Sequence, residues 1–314
     1  MRAIGVQEFG GPEKLQVLDV PEPHAGPGEV RIRVHGATVN PTDTNLREGI
    51  YAQRSGDTSP GPHIPGMDVA GLVSEVGEGV ELQVGDRVMA VVLPRGPHGG
   101  AYADEVVVPA ASVVPVPAGA DLFAASTLPM NGLTARLVLE ALAVPTGGTV
   151  AVTGAAGAFG GYVVQLAKVD GLRVIADASP ADEELVRGLG ADEVVARGDD
   201  VAERIRALVP DGVDGLADGA VMDALVVPAV RDGGRIATIR GWSGPADHGI
   251  TVHPVLVFDH ADRTDALEEL RELVEQSAVT LRVADVLPAE QAAEAHRRLG
   301  AGGVRGRLVL DFSS

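Results

Sequence analysis

The chain has 314 residues, enough for one large domain or two ordinary ones, and a formal net charge of -19 that argues against nucleic acid and anionic lipid as partners. It contains no cysteine, so disulfides, thiolate metal sites and cysteine nucleophiles are excluded. Aromatic residues make up only 3% of it, which leaves Ala, Val, Leu and Ile to build the core. The start, Met1-Arg2-Ala3-Ile4-Gly5, lacks the apolar stretch of a signal peptide, and no run of about 18 apolar residues occurs. The expectation is a cytoplasmic protein with no membrane or nucleic-acid partner.

Residues 29–34 alternate Val30, Ile32 and Val34 with Arg31 and Arg33, the period of two expected of a strand with one wet face. Residues 69–76, 87–92 and 103–108 are further strands, set apart by the turns Gly77-Glu78-Gly79 and Val84-Gly85-Asp86. Short strands at this spacing predict a small barrel. The polar stretch 53–63, rich in Pro and Gly, reads as a loop. The pattern changes near Asp121, and residues 122–142 suit a helix. From Thr149 strand and helix alternate. Strands are expected over 149–153, 172–176, 194–195 and 235–239, and helices over 159–168, 183–189 and 201–209. This alternation predicts a parallel sheet with helices on both faces. A long helix after residue 260, a second over 289–299 and a strand over 307–310 close the chain.

The strongest local signal is Thr153-Gly154-Ala155-Ala156-Gly157-Ala158-Phe159-Gly160, which follows a strand and opens a helix. Small residues let the backbone approach a pyrophosphate, and the N–H groups and positive end of the helix hold its charge. Gly160 lets the helix pack closely on the strand. A plain tight turn is the alternative.

Beyond this turn, Phe9-Gly10-Gly11-Pro12-Glu13, Gly26-Pro27-Gly28-Glu29-Val30, Val39-Asn40-Pro41-Thr42-Asp43 and Pro65-Gly66-Met67-Asp68-Val69-Ala70-Gly71 follow one another in the barrel half. Val84-Gly85-Asp86-Arg87-Val88, Gly99-Gly100-Ala101-Tyr102-Ala103, Gly132-Leu133-Thr134-Ala135, Gly233-Gly234-Arg235 and Gly306-Arg307 continue the series. In order and spacing the set resembles the zinc-independent quinone oxidoreductases of the medium-chain dehydrogenase/reductase superfamily, over nearly the whole chain. The resemblance implies an α/β protein with a GroES-like β-barrel domain over 1–121, a Rossmann doubly wound parallel sheet over 122–258, and a return to the first domain over 259–314. It also implies a dinucleotide in the cleft between them. Zinc-dependent relatives carry ligands where this chain has Asn40 and Met67, so no metal site is expected. Loss of that Lewis acid favours acceptors that delocalise the incoming charge themselves, such as quinones or carbonyl-conjugated alkenes.

The resemblance brings Tyr51 near the nicotinamide, where its hydroxyl orients the substrate or donates a proton. The alternative is a tyrosine packed at a domain edge. Asn40 either takes a polar role beside the nicotinamide or serves a turn, and Asp43 reads as turn chemistry. Thr134, and less so Asn131, contact the nicotinamide or its phosphate, or merely start a helix. The backbone of Arg240-Gly241-Trp242 receives the carboxamide, and Trp242 walls the substrate pocket or packs against the other domain. The strand over 172–176 runs toward the adenosine ribose, with Ala178 and Ser179 where NAD enzymes place an acid; this suits NADPH. Yet 179–184 hold no Lys or Arg, so a 2′-phosphate calls on Arg197 or Arg307, and NADH stays open. The eight histidines show no metal spacing and read as surface or loop residues.

Three functions follow. The first is an NADPH-dependent reductase of quinones or similar small electrophiles. The second is an enoyl or alkenal reductase on the same scaffold. The third is a non-catalytic nucleotide-binding protein, against which Asn40, Tyr51 and Thr134 together speak. The resemblance also implies a homodimer paired through the Rossmann sheet edge, with 250–258 as an apolar edge strand.

Overall fold

The computed structural model describes residues 1–56 and 60–313, and in it the alternation of 29–34 is realised: Val30, Ile32 and Val34 are buried and Arg33 is exposed. Their strand is longer than expected. In chain order the first part holds β1 (Arg2–Gly5), β2 (Gln16–Asp19), β3 (Glu29–Thr38), α1 (Pro41–Arg47), α2 (Ile50–Ser55), β4 (Asp68–Val76), β5 (Arg87–Val91), β6 (Glu105–Pro109), β7 (Val113–Pro115) and α3 (Leu122–Ala125). Next come α4 (Pro129–Leu142), β8 (Thr149–Thr153), α5 (Ala158–Val169), β9 (Arg173–Ala178), α6 (Glu183–Gly188), β10 (Glu193–Ala196), α7 (Val201–Leu208), β11 (Val213–Asp218), β12 (Val230–Thr238) and β13 (Thr251–Pro254). The chain closes with α8 (Thr264–Glu275), β14 (Val283–Pro288), α9 (Ala292–Ala301) and β15 (Arg307–Asp311).

Two compact units result. One comprises Met1–Met130, Ala261–Glu275 and Leu281–Ser314; the other comprises Asn131–His260 and Gln276–Thr280. In the first, strands run in the order β14-β15-β3-β4-β5-β7, with β6 also paired to β3. One edge of β3 is therefore shared: 29–33 pair with β6 and 36–38 with β15, both antiparallel. Register shifts near Arg31 and His35 bend the strand between these partners, as bulges do. Ile4, Ile32, Val69, Val88, Tyr102, Leu308 and Leu310 share the core inside, so the return segment is part of the barrel.

The second unit is a six-stranded parallel sheet in the order β10-β9-β8-β11-β12-β13. Successive strands are added on one side of β8 through β9 and on the other through β11, so a topological switch point lies at the carboxyl end of β8. Ala151, Ile175, Leu216 and Ile236 form its core with Val201 and Ile205 of α7.

Some expectations need correction. Residues 122–142 form two helices, because Pro129 lacks the N–H needed inside a helix and starts α4 instead. Within the expected loop 53–63, residues 53–55 belong to α2, and 57–59 lie outside the described residues. Strands β1, β2, β7, β11 and β14 form where the sequence pattern predicts none. Among the described residues no helix is long and apolar enough to cross a membrane.

Candidate active site

All strands of the second unit's sheet are parallel, so their carboxyl ends share one edge, and the glycine turn sits at the centre of it. Gly154 has φ +68°, and a Cβ there would lie 2.9 Å from the Gly219 carbonyl carbon. At Gly160 a Cβ would lie 2.4 Å from the Gly154 oxygen, so α5 packs on the turn only as glycine. Gly157 differs. It is the N-cap of α5 with φ -69°, which any residue adopts, and a Cβ there would meet only the Gly154 oxygen, at 3.1 Å. The fold explains Gly154 and Gly160 but not Gly157, whose missing side chain leaves the start of a twelve-residue helix open to approach. Ala155, Ala158 and Phe159 are buried and contribute backbone; the Phe159 ring lies under Gly219. Ala156 completes the turn.

At the next strand end Asp177 is buried and turns into the glycine turn, where its Oδ1 accepts the Ala155 N–H at 3.2 Å. Burial raises its pKa, opposed by the Ala155 and Gly154 N–H groups and by the charge of Arg197. Ala178 ends β9, and its carbonyl accepts the Arg197 N–H at 3.0 Å, so the exposed Arg197 stands beside the position where NAD enzymes place an acid. The Ser179 hydroxyl donates to Asp182 at 2.5 Å. On the far side of β8, Thr153 donates to Asp218 at 2.7 Å. Beyond β12, Thr238 donates to the Trp242 carbonyl at 2.7 Å, fixing the turn through Arg240 and Gly241. Gly241 is exposed and Trp242 half-buried. Asn131 and Thr134 are buried one turn apart on α4.

The barrel unit holds a buried polar chain drawn from distant segments. Asn40 is fully buried; its side-chain amide donates to Asp68 Oδ2 at 2.6 Å, with a long contact to the Thr38 carbonyl at 3.5 Å. Asp68 also accepts the Met130 N–H at 2.6 Å. Asp43 accepts the N–H groups of Asn40 and Gly66, both at 2.8 Å, and the Tyr102 hydroxyl at 3.2 Å. Burial pushes Asp43 up to about 7 and Asp68 up to about 6, against the hydrogen bonds each accepts. Tyr102 lies 3.3 Å from His296 Nε2, and Arg47 lies 3.2 Å from His296 Nδ1. Arginine can only donate, so Nδ1 accepts and Nε2–H donates to Tyr102. Burial holds His296 neutral, down at about 3.

Two placements stand out here. Asn40 donates to Asp68, with a long contact to the Thr38 carbonyl, and so helps to organise the barrel interior. Arg307 is buried, with its charge acting on Asp68, which leaves Arg197 as the exposed one of the two arginines expected at a 2′-phosphate. His296 is a core residue, not a surface one. The signal for it was present: Ala292, Ala295 and His296 share the buried face of α9. Asp68 stands in the run Pro65-Gly66-Met67-Asp68-Val69, where nothing local marks its partner Asn40.

Tyr51, on α2, is half-buried; its hydroxyl lies 3.5 Å from Asn45 Nδ2, and the Arg95 guanidinium stands over its ring at 5.6 Å from the centroid. Both line a barrel cavity of about 550 Å³, walled by Phe9, Leu46, His63 and Ile64. Arg95 carries no local sequence signal; it lies in the turn-rich run Pro94-Arg95-Gly96-Pro97.

Two family models match the chain: one described as the alcohol dehydrogenase GroES-like domain, over residues 26–118, and one as zinc-binding dehydrogenase, over 189–310. A probable quinone oxidoreductase of Schizosaccharomyces pombe is 30% identical, covering 98% of this chain and 96% of its own. The chain belongs to the quinone oxidoreductase-like branch of the medium-chain dehydrogenase/reductase superfamily. It is thus an oxidoreductase by family. A chloroplastic NADPH-dependent alkenal/one oxidoreductase of Arabidopsis thaliana is likewise 30% identical, covering 99% of this chain and 79% of its own. Among solved structures, an NAD-dependent alcohol dehydrogenase superposes with a TM-score of 0.85 at 32% identity, covering 99% of both chains. A mycobacterial protein complexed with NADPH does so with 0.87 at 29% identity, covering 99% of this chain and 100% of its own. The expected family and α/β architecture therefore hold.

Proposed function

We propose that this medium-chain reductase uses NADPH to reduce a small electron-poor acceptor, a quinone or a carbonyl-conjugated alkene, without zinc. The observation that carries this reading is Gly157. Its glycine is not required by the fold, and it leaves the N-terminus of α5 open where a pyrophosphate is held. The backbone of 154–160 fits a dinucleotide in this way. Ala178 offers no carboxylate to ribose hydroxyls, Asp177 is turned inward, and Arg197 supplies a cation for a 2′-phosphate. The NADPH named for two of the relatives agrees with that arrangement.

NADPH, when bound, supplies the hydride. The chain's own residues do the rest. Thr134 and the backbone at Arg240, Gly241 and Trp242 orient the nicotinamide, with Asn131 beside Thr134. Tyr51 hydrogen-bonds the acceptor oxygen as negative charge develops on it. Asn40 fixes Asp68 and the start of α1. The donor set at the zinc positions does not suit the metal: Asn40 is hydrogen-bonded to Asp68, the neighbouring position is Met67, and the chain has no cysteine. A second cofactor reading, NADH, draws on the acids Asp182, Glu183 and Glu184 just after Ser179. We place the protein in the cytoplasm as a homodimer paired through β13, which is the terminal strand of its sheet.

The test is to compare initial rates with quinones, alkenals and enoyl thioesters under NADPH and NADH. A preference for NADPH that Arg197→Gln abolishes supports the assignment. Faster turnover with NADH in the unaltered protein contradicts it.

A further inference from the structure

Asp218 closes β11 at the carboxyl edge of the parallel sheet and is 1% exposed. Its two oxygens serve different segments. Oδ1 accepts the Thr153 hydroxyl of β8 at 2.7 Å, and Oδ2 accepts the N–H groups of Met222 and Asp223, both at 2.8 Å. Thr153 in turn accepts the Ala220 N–H at 3.2 Å. One buried carboxylate thus pins residues 219–223 against the end of β8.

These residues are held in a conformation that two of them resist. Val221 has φ +58° and Asp223 has φ +54°. A β-branched side chain at positive φ crowds its own backbone, and such strain persists only where the surroundings over-determine it. Core packing does not call for a valine here. Met222 packs against the sheet core, and Val226 and Ala229 are fully buried, but the Val221 side chain is 38% exposed. Glycine at 221 would keep every hydrogen bond of the segment, relieve the strain and lose only a half-covered isopropyl group.

Strand order locates this valine. β11 lies between β8 and β12, with β9 on the far side of β8. On the reading above, β9 ends at the adenosine ribose, β8 at the pyrophosphate and β12 at the nicotinamide. The segment also abuts the glycine turn, since a Cβ on Gly154 would lie 3.1 Å from the Ala220 nitrogen. Val221 therefore stands between pyrophosphate and nicotinamide, where the second ribose of the dinucleotide belongs.

We infer that Val221 binds the nicotinamide ribose, its apolar side chain against the carbon face of the sugar, and that Asp218 is the positioning residue that holds it there. This rests on the dinucleotide reading above and adds to it a contact made at the expense of backbone strain.

The test pairs stability with affinity, because a residue strained for binding sets the two in opposition. In Val221→Gly the melting temperature of the ligand-free protein rises by about 2 °C. NADPH, titrated by its own fluorescence, binds that variant about fivefold more weakly. Val221→Ala trims the side chain without freeing the backbone, so it weakens NADPH to a similar degree with no gain in melting temperature. Both variants bind 2′,5′-ADP, which carries the adenosine half alone, as the wild type does. Asp218→Asn turns one acceptor oxygen into a donor and weakens NADPH in the wild type, but adds little in Val221→Gly, where no side chain is left to position. Unchanged NADPH affinity in Val221→Gly, a lower melting temperature in it, or an equal loss for 2′,5′-ADP overturns the inference. Equal losses from Asp218→Asn in both backgrounds overturn the role of Asp218. A wild-type protein that binds neither NADPH nor NADH brings down the dinucleotide reading as well, whereas NADPH binding that is indifferent to residue 221 removes this inference alone.

Discussion

Asn40 donates its side-chain amide to Asp68 at 2.6 Å, and neither residue has any exposed surface. The pair joins the start of α1 to the start of β4. Truncating Asn40 to Ala leaves a buried carboxylate short of a partner, which costs about 1–3 kcal/mol. Asn40→Asp sets a second carboxylate against Asp68 and costs more. Thermal unfolding should rank the variants wild type, Asn40→Ala, Asn40→Asp in falling stability. An Asn40→Ala melting curve matching wild type would remove Asn40 from this organising role.

The same cluster sets a pH dependence. Asp43 and Asp68 hold their protons more tightly in the folded chain, at about 7 and about 6, than at the ordinary 3.8. Their contribution is therefore full below pH 4 and is lost as pH rises through 6 and 7. Asp43→Asn and Asp68→Asn should flatten the fall in stability between pH 4 and pH 8, whatever their absolute stability. Profiles parallel to wild type would mean that neither group titrates in that window.

Gly157→Val should weaken NADPH binding more than about tenfold, or roughly 1.4 kcal/mol, with little change in melting temperature. Gly160→Val, by contrast, drives a side chain into the Gly154 carbonyl and should impair folding. Unaltered dinucleotide affinity in Gly157→Val would reduce the motif to a structural turn.

Tyr51→Phe keeps the ring under Arg95 and removes the hydroxyl. With an alkenal or enoyl acceptor, whose enolate must be stabilised and protonated, turnover should fall about 10- to 1000-fold at constant cofactor affinity. With a quinone, whose reduced form is stable without a protein acid, the fall should be smaller. A rise in KM alone would make Tyr51 a binding residue, and no change in either class would leave it a packing residue.

How far the sequence shows these features depends on where the partners lie along the chain. Strand β8 and helix α5 are legible because a short apolar run stops at Thr153 and small residues follow at once. Strand β11 is not, because Asp214, Gly215 and Asp218 break its apolar pattern; their partners are tertiary. Asp214 accepts the Thr149 N–H at 2.8 Å, and Asp218 accepts from Thr153. The chain from Arg47 through His296, Tyr102 and Asp43 joins segments up to 249 residues apart, so no local window contains it. Arg95 belongs to a loop whose role depends on the ring it covers.

The most direct measurement of the central claim is the stoichiometry of NADPH consumption in protein exhaustively treated with chelator. The account predicts that NADPH oxidation by a quinone or alkenal equals the acceptor reduced, at a rate chelation does not change. No oxidation with any acceptor, or activity restored only by stoichiometric zinc, would contradict it.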